Sequence, residues 1–327
     1  MKNSFACILF LFLASVPTNA YGDTQKIIEL KLCAAMIAEP NKYQLLPKNE
    51  EQNDLYAAQL YMKALQALPA DLNSVQIKQL LKTPLNELPL EQAKSIIKEF
   101  KPVFQLVEQA AKCRKCNWPF EVAVETKTLQ NYRLIAQVLA LQARLEIAQG
   151  QYDNAISTLQ TGFTMGRHLS TSSAIVQDLV GIAVAALMFE QLEQFIQAPE
   201  APNLYRSLQS LPRPFIDLTE QIESSVQDDA REKVRQLTNR LDRHIAVLQC
   251  IEALRNYAAV HDGKFPGSLA EIKEVPILND PVTGKPFDYS GSNSEVVLKG
   301  PAPNGAESNK AIYYKLVLRE PQNKNKK

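Results

Sequence analysis

The sequence has little of what most recognisable binding and catalytic sites require. Its 327 residues include three His and one Trp, and 36 basic side chains nearly balance 35 acidic ones. Binding to nucleic acid phosphates needs clustered Lys and Arg, and the basic cluster of this chain is the C-terminal Lys324, Lys326 and Lys327. We therefore expect no nucleic-acid partner, and we expect residues 321–327 to form a disordered basic tail.

Sequence motifs with a catalytic mechanism are also missing. The chain has no H-E-x-x-H, P-loop or strand-borne nucleophile-elbow pattern. Gly162–Gly166 has the spacing of an elbow but falls inside a predicted helix, where close helix packing is the simpler explanation. His168, His244 and His261 stand near predicted helix ends or on charged faces, and a helix C-terminus favours imidazolium. These observations favour a binding protein over an enzyme, with no cofactor.

The N-terminus has the pattern of a secretory signal. Lys2 precedes an apolar run from Phe5 to Val16, and the small residues Thr18 and Ala20 follow it. Because the run is short for a membrane span, we predict a signal peptide over residues 1–20 that is cleaved after Ala20, with an uncleaved anchor as the alternative. No later segment is expected to cross a membrane, which predicts a periplasmic or secreted protein.

From about residue 21 to 212 the chain predicts a helical-repeat domain. Apolar residues recur three and four apart between prolines. The first predicted helix carries the apolar residues from Ile27 to Ile37 and ends before Pro40, and Asp54 is expected to cap the second. Further helices are predicted at 74–81, 89–112, 120–148, 152–168 and 173–197.

One of these helix pairs, at about 132–168, resembles a tetratricopeptide repeat. The similarity is carried by Gly150, Tyr152 and Ala155 in a G-x-Y-x-x-A pattern, where Gly frees the turn and Ala lets two helices approach closely. A second, less complete copy lies between Asp54 and Pro69. The resemblance implies an array of helical hairpins whose surface binds a protein or peptide partner.

The C-terminal part, 213–320, has a different pattern. A helix from about Ile216 to His261 precedes Gly263, and Ser268 and Glu271 form a capping box for a short helix. Residues 280–289 are a turn that runs into a strand, and two more strands are predicted at 296–299 and 312–318.

This order of elements, at about 245–318, resembles the soluble part of the major pseudopilins of type II secretion. The apolar half of the pilin helix is replaced here by the charged segment from Asp228 to Arg243, so filament assembly is not implied. The resemblance does imply a calcium site in the C-terminal loop, for which Asn304, Glu307 and Asn309 are the candidate ligands. They include one carboxylate, whereas tight calcium sites generally use several.

Four cysteines lie beyond the predicted signal peptide, and two of them are close together. Cys113 and Cys116 enclose Arg114 and Lys115, which favour thiolates. In an oxidising compartment the pair predicts a structural disulfide, with pairing to Cys33 or Cys250, buried thiols, a redox site or a metal site as alternatives.

The sequence as a whole predicts a mainly α protein, an array of tetratricopeptide-like hairpins followed by a small α+β module with a short antiparallel sheet. Segments such as Cys116–Trp118 are also similar to uncharacterised exported bacterial helical proteins, a resemblance that implies no activity. We expect an exported interaction or scaffold protein without a stable membrane anchor. The alternatives are an accessory component of a secretion or pilus apparatus, and a redox or hydrolytic enzyme in which His168 or Cys116 meets a carboxylate or a second thiol.

Overall fold

The structure is a computed structural model that is mostly helical, with 56% of residues in helices. It describes residues 27–70, 73–119, 122, 124–172, 174–219, 228–302 and 311–319, and the side chains of 228–231 are not among them. The predicted signal peptide, the basic tail and the calcium candidates Asn304, Glu307 and Asn309 lie outside the described residues.

The described chain contains nine α-helices and six strands. The helices are α1 Ala57–Gln66, α2 Ser74–Lys82, α3 Leu90–Glu99, α4 Lys101–Ala111, α5 Thr126–Ala148, α6 Tyr152–Leu169, α7 Ile175–Gln197, α8 Tyr205–Gln209 and α9 Asp228–Val260. The strands are β1 Ile28–Leu32, β2 Asn53–Tyr56, β3 Cys113–Lys115, β4 Asp288–Gly291, β5 Glu295–Gly300 and β6 Ile312–Leu318. Short 3-10 helices occur at Asn49–Glu51, Leu85–Glu87 and Leu269–Glu271.

These elements form two compact units, and neither is contiguous in sequence. The helical unit is built from the described parts of Gln44–Leu192 and Leu211–Leu241. The mixed unit is built from the described parts of Thr18–Tyr43, Glu193–Ser210 and Asp242–Lys327. This division differs from the contiguous domains expected at 21–212 and 213–320.

In the helical unit, α5 and α6 form the predicted hairpin. Gly150 makes the turn between them with a φ of +69°, a conformation that favours glycine. Ala155 on α6 is fully buried, as its place in the predicted pattern requires. The hairpin itself is confirmed, while the arrangement of a tetratricopeptide array is not.

The helices α6 and α7 cross at very short range because glycines face each other. A Cβ atom on Gly181 would lie 2.5 Å from the carbonyl oxygen of Gly166 and would overlap the hydroxyl of Ser170. A Cβ atom on Gly166 would lie 3.1 Å from the amide nitrogen of Ala185. This confirms close packing as the role of the glycines in the Gly162–Gly166 segment.

Two predictions for the helical unit are wrong in their details. Asp54 does not cap a helix, because it lies in β2, which pairs in parallel with β3, and α1 begins only at Ala57. The helix predicted at 89–112 is two helices that meet at Phe100. Pro102 explains this division, since it lacks the N–H of a continuing helix but fits the first turn of a new one.

The mixed unit contains a four-stranded sheet in the order β1, β6, β5, β4. The predicted antiparallel run of β4, β5 and β6 is confirmed. The sheet as a whole is mixed, because β1 pairs in parallel with β6, with Leu30 opposite Leu316.

Strand β1 replaces the helix that was predicted from Ile27 to Ile37. Leu30 and Leu32 are buried and Glu29 and Lys31 alternate with them, so the local period is two and not 3.6. Alternation of this kind suits a strand with one buried face.

Among the described residues, one helix is long and apolar enough to cross a membrane by length and composition alone. Helix α7 contains an 18-residue window with a mean hydropathy of 1.6, of which 78% is buried within the protein. Burial of this extent is typical of a core helix in a folded protein.

Candidate functional site

The two neighbouring cysteines lie in the helical unit as free thiols. Cys113 and Cys116 are both buried, and the Cys113 thiol contacts the carbonyl oxygen of Gln109 at 3.4 Å. Burial raises the pKa of the Cys116 thiol to about 12, although hydrogen bonds from Thr171 and Ala58 offset part of this effect. Because the thiolate is the nucleophile, this environment opposes redox catalysis. A disulfide between the two stays a prediction.

Aromatic rings and His168 surround these thiols. The hydroxyl of Tyr61 lies 3.1 Å from Nδ1 of His168, and Trp118 donates its Nε1–H to the His168 carbonyl at 2.7 Å. The rings of Tyr61 and Trp118 are stacked with centroids 5.7 Å apart. Burial, together with the charge of Arg167, lowers the pKa of His168 to about 4. The expectation that the helix end favours imidazolium is therefore wrong here, because desolvation outweighs the dipole.

The other two histidines are each paired with a carboxylate in the mixed unit. Nε2 of His244 lies 2.8 Å from Oε1 of Glu193, and that same oxygen accepts the hydroxyl proton of Tyr314 at 2.5 Å. Nε2 of His261 lies 3.0 Å from Oε1 of Glu274. Sequence reasoning did not find either partner, since the residues of each pair are far apart in the chain or separated by a turn.

A shallow cleft of about 320 Å³ opens beside His261. Its lining residues are Tyr257, His261, Asp262, Lys264, Phe265, Gly267, Glu271 and Asn293. Several of its polar groups are already engaged: Glu271 accepts the amide proton of Gly267 at 3.1 Å, and Tyr257 stacks on His261 with ring centroids 3.8 Å apart. These contacts hold the turn after α9, so the cleft offers few uncommitted groups to a ligand.

A second surface depression lies in the helical unit, between α2 and α3, and we refer to it as the α2–α3 groove. Its volume is about 220 Å³ and its lining residues are Asn73, Gln76, Ile77, Gln92, Ser95, Ile96, Glu99 and Phe100. Phe100 and Ile77 are buried and form an apolar floor. The amide side chains of Gln76 and Gln92 have no hydrogen-bond partner among the described residues, whereas Asn73 caps α2 by accepting the amide proton of Gln76 at 3.0 Å.

The groove follows from the local sequence of the two helices. Gln76 and Ile77 lie one turn beyond Asn73, and Ser95, Ile96 and Glu99 lie three, four and seven residues after Gln92. Residues at this spacing share one face of a helix. Two facing stripes of mixed polar and apolar side chains therefore line the groove. The sequence analysis did not single out any of these residues.

The described part of the chain does not bring together side chains that could bind a metal ion. No cluster of three or more His, Cys, Asp or Glu side chains with metal-binding geometry occurs in those residues. Cys113, Cys116 and the neighbouring His168 therefore do not form such a cluster in the described part of the chain.

Comparison with known proteins identifies no relative. No family model matches the chain, and neither a curated protein nor a solved structure matches it.

Proposed function

We propose that the protein is an exported, non-catalytic interaction protein whose helical unit holds an extended polypeptide in the α2–α3 groove. The observation that carries this proposal is the pair of uncommitted amide side chains, Gln76 and Gln92, above the apolar floor of Ile77 and Phe100.

The chemistry of the groove suits a polypeptide backbone. An amide side chain offers two N–H donors and a carbonyl acceptor, and an extended backbone presents the complementary donor and acceptor at every residue. Contacts of this kind bind a peptide without dictating its sequence. The half-buried Ile96 gives its side chains an apolar surface on which to lose contact with water.

The size of the groove favours the same ligand class. Pockets that enclose small organic ligands or cofactors usually measure ~300–1,000 Å³, so the α2–α3 groove, at about 220 Å³, is small for such a ligand. A short stretch of an extended chain that enters and leaves the groove does not have to fit inside it.

The enzyme alternative has less support from the groups that it would use. At neutral pH the Cys116 thiol is protonated, since its pKa is raised to about 12. The His168 ring is buried in the core, where its Nδ1 lies 3.1 Å from the hydroxyl of Tyr61. Neither group is presented to a substrate.

A role as an accessory component of a secretion apparatus is the second candidate. It is favoured by the order of elements in the mixed unit, where α9 is followed by the antiparallel strands β4, β5 and β6. That order is the basis of the pseudopilin resemblance, and the polypeptide-binding groove is compatible with such a role.

Selection from a random heptapeptide library displayed on phage tests the binding proposal directly. We expect the protein to enrich peptides that bind it in fluorescence anisotropy, and we expect the double variant Gln76→Ala with Gln92→Ala to bind them at least about tenfold more weakly, because two hydrogen bonds are lost. Gln105→Ala is the matched control, since Gln105 is exposed on α4 outside the groove. Equal affinity in both variants would show that the groove is not the binding site.

Export is tested separately by the mass of the mature chain. If the signal peptide is cleaved after Ala20, the protein recovered from the cell exterior or periplasm begins at Tyr21. Retention of residues 1–20 in a membrane fraction would favour the uncleaved anchor.

A further inference from the structure

Among the described residues that line the α2–α3 groove, Glu99 is the single charged side chain, and it lies at one end of the α3 wall. Glu99 is exposed, and no ion pair engages its carboxylate in the described part of the chain. By contrast, Glu91 on the same helix is paired with Lys94 at 2.7 Å and does not line the groove.

The distance from Gln92 to Glu99 sets the length of polypeptide that the wall can contact. Seven residues of α-helix rise about 10.5 Å, and an extended chain advances about 3.3 Å per residue. The wall therefore spans about three residues of an extended ligand. A ligand whose backbone meets Gln92 has a side chain within two or three positions that can reach Glu99.

The surroundings of Glu99 favour a particular kind of side chain. Ile96 is apolar, half-buried and lines the groove beside it, while Phe100 beneath the groove is fully buried. Lys and Arg bury an aliphatic stem along an apolar surface while the charged head stays in water. A carboxylate at the rim next to an apolar wall is complementary to both parts of such a side chain.

We propose that the α2–α3 groove selects polypeptide segments that carry a Lys or Arg residue, whose stem packs on the half-buried Ile96 and whose charged group pairs with Glu99. This inference rests on the proposed polypeptide-binding function and adds the chemical identity of the preferred ligand. Because the pair forms at a partly hydrated rim, its contribution is modest, and it acts on selectivity more than on total affinity.

A double-mutant cycle between protein and peptide measures this pair. The probes are a heptapeptide selected from the random phage library by the full-length protein, and the same peptide with its Lys or Arg replaced by Met. We expect the replacement to weaken binding to the unmodified protein by about two- to fivefold. We expect no such loss with Glu99→Gln, since the partner charge is already absent. The control Glu91→Gln should behave as the unmodified protein.

The outcomes separate this inference from the function on which it rests. Enrichment of Lys or Arg at one peptide position, lost in a parallel selection with Glu99→Gln and weakened by added salt, supports the pair. Peptides that depend on Gln76 and Gln92 but show equal losses with and without Glu99 would overturn the selectivity and leave the groove as the binding site. If no peptide is enriched, or if binding does not depend on Gln92, both proposals are wrong.

Discussion

Ionisation of Asp178 should make the helical unit less stable as the pH rises. The side chain is fully buried on the first turn of α7, where Oδ1 accepts the hydroxyl proton of Ser172 at 3.2 Å and Oδ2 has no partner in the described part of the chain. Burial raises the pKa of Asp178 from 3.8 to about 7, although hydrogen bonds from Ser172 offset part of the effect. Each unit of difference between the folded and the unfolded pKa of a group corresponds to about 1.4 kcal/mol of folding free energy. Ionisation therefore costs the folded state at most about 4 kcal/mol.

The sign follows from proton binding. Between the unfolded and the folded pKa the folded state holds more protons, so the free energy of unfolding falls with pH across this window. The favourable contribution is complete below the unfolded pKa and is lost as the pH passes about 7. Asp178→Asn cannot ionise, and it should gain about 2–4 kcal/mol relative to the unmodified protein between pH 4 and pH 8.

Urea unfolding at several pH values measures this difference. The single tryptophan, Trp118, lies in the helical unit, so its fluorescence reports the relevant transition. His168 acts in the opposite direction, because its pKa is lowered to about 4 and its contribution is lost as the pH falls. Because Asp178→Asn and the unmodified protein both contain His168, the difference between their free energies of unfolding removes the contribution of this histidine. Asp153→Asn, at an exposed site on α6, is the control. A difference between Asp178→Asn and the unmodified protein that stays constant from pH 4 to pH 8 would refute the reasoning.

Three further predictions concern packing and the cysteines. Ala155→Leu should destabilise the helical unit by about 1–3 kcal/mol, because the fully buried site has no room for added methylenes. Gly150→Val should destabilise the same unit through backbone strain at φ +69°. Unchanged urea midpoints for both variants would contradict the hairpin packing. Gly181→Ala should destabilise the helical unit by at least about 1 kcal/mol, since the new Cβ atom meets the backbone of α6. An unchanged midpoint of thermal unfolding would show that α6 and α7 can move apart without a cost in stability. If the cysteine pair becomes oxidised in the exported protein, non-reducing peptide mapping should find Cys113 linked to Cys116. The double Ser variant should then lose stability at the low end of the ~0–5 kcal/mol range, because the loop that the disulfide closes is short. Two free thiols would contradict the disulfide prediction.

The helices that could be predicted from the sequence are those whose signals are local. The helix predicted at 152–168 is confirmed as Tyr152–Leu169, because Gly150 marks the turn before it and the apolar period is sustained over five turns. Strand β6 is confirmed at Ile312–Leu318, where a run rich in β-branched and aromatic residues favours a strand over a helix.

Strand β1 could not be predicted in the same way. The alternation covers only the five residues Ile28–Leu32, whereas in the wider apolar run Ile28, Leu32 and Met36 recur four residues apart as on one side of a helix, so a short apolar run does not distinguish the two. The strand is decided by its partner β6, which lies at the other end of the chain. Tertiary pairing overrides local propensity in such a case.

The candidate site escaped the sequence analysis for a related reason. Gln76, Gln92 and Glu99 are ordinary residues of exposed helix faces, and nothing in their spacing separates a binding wall from a solvated face. Their significance comes from the approach of two helices around a common groove. Conversely, Cys116 and His168 have conspicuous chemistry in the sequence, and burial removes most of it.

Burial of charge also explains how the mixed unit joins segments that are distant in sequence. Glu252 and Arg255 on α9 look like a surface pair one helical turn apart, yet both are fully buried and their charged groups lie 2.9 Å from each other. The guanidinium also donates to the carbonyl oxygens of Cys33 and Ala201, and the carboxylate accepts the amide proton of Leu204 at 3.2 Å. A buried ion pair on its own is weak evidence for stability, because desolvation offsets much of the attraction.

The value of this pair lies in the backbone groups that it satisfies. The segment after β1 and the segment before α8 carry polar backbone groups into the core, where each unpaired group would cost about 1–3 kcal/mol. Only an arrangement that brings Cys33, Ala201 and Leu204 together around α9 pairs these groups and both charges at once. A shift of any one segment would leave a buried backbone group and one hydrogen-bonding position of the pair without a partner, which is a larger penalty than an imperfect apolar contact. The pair therefore specifies which segments assemble, and apolar burial supplies the stability of the assembly.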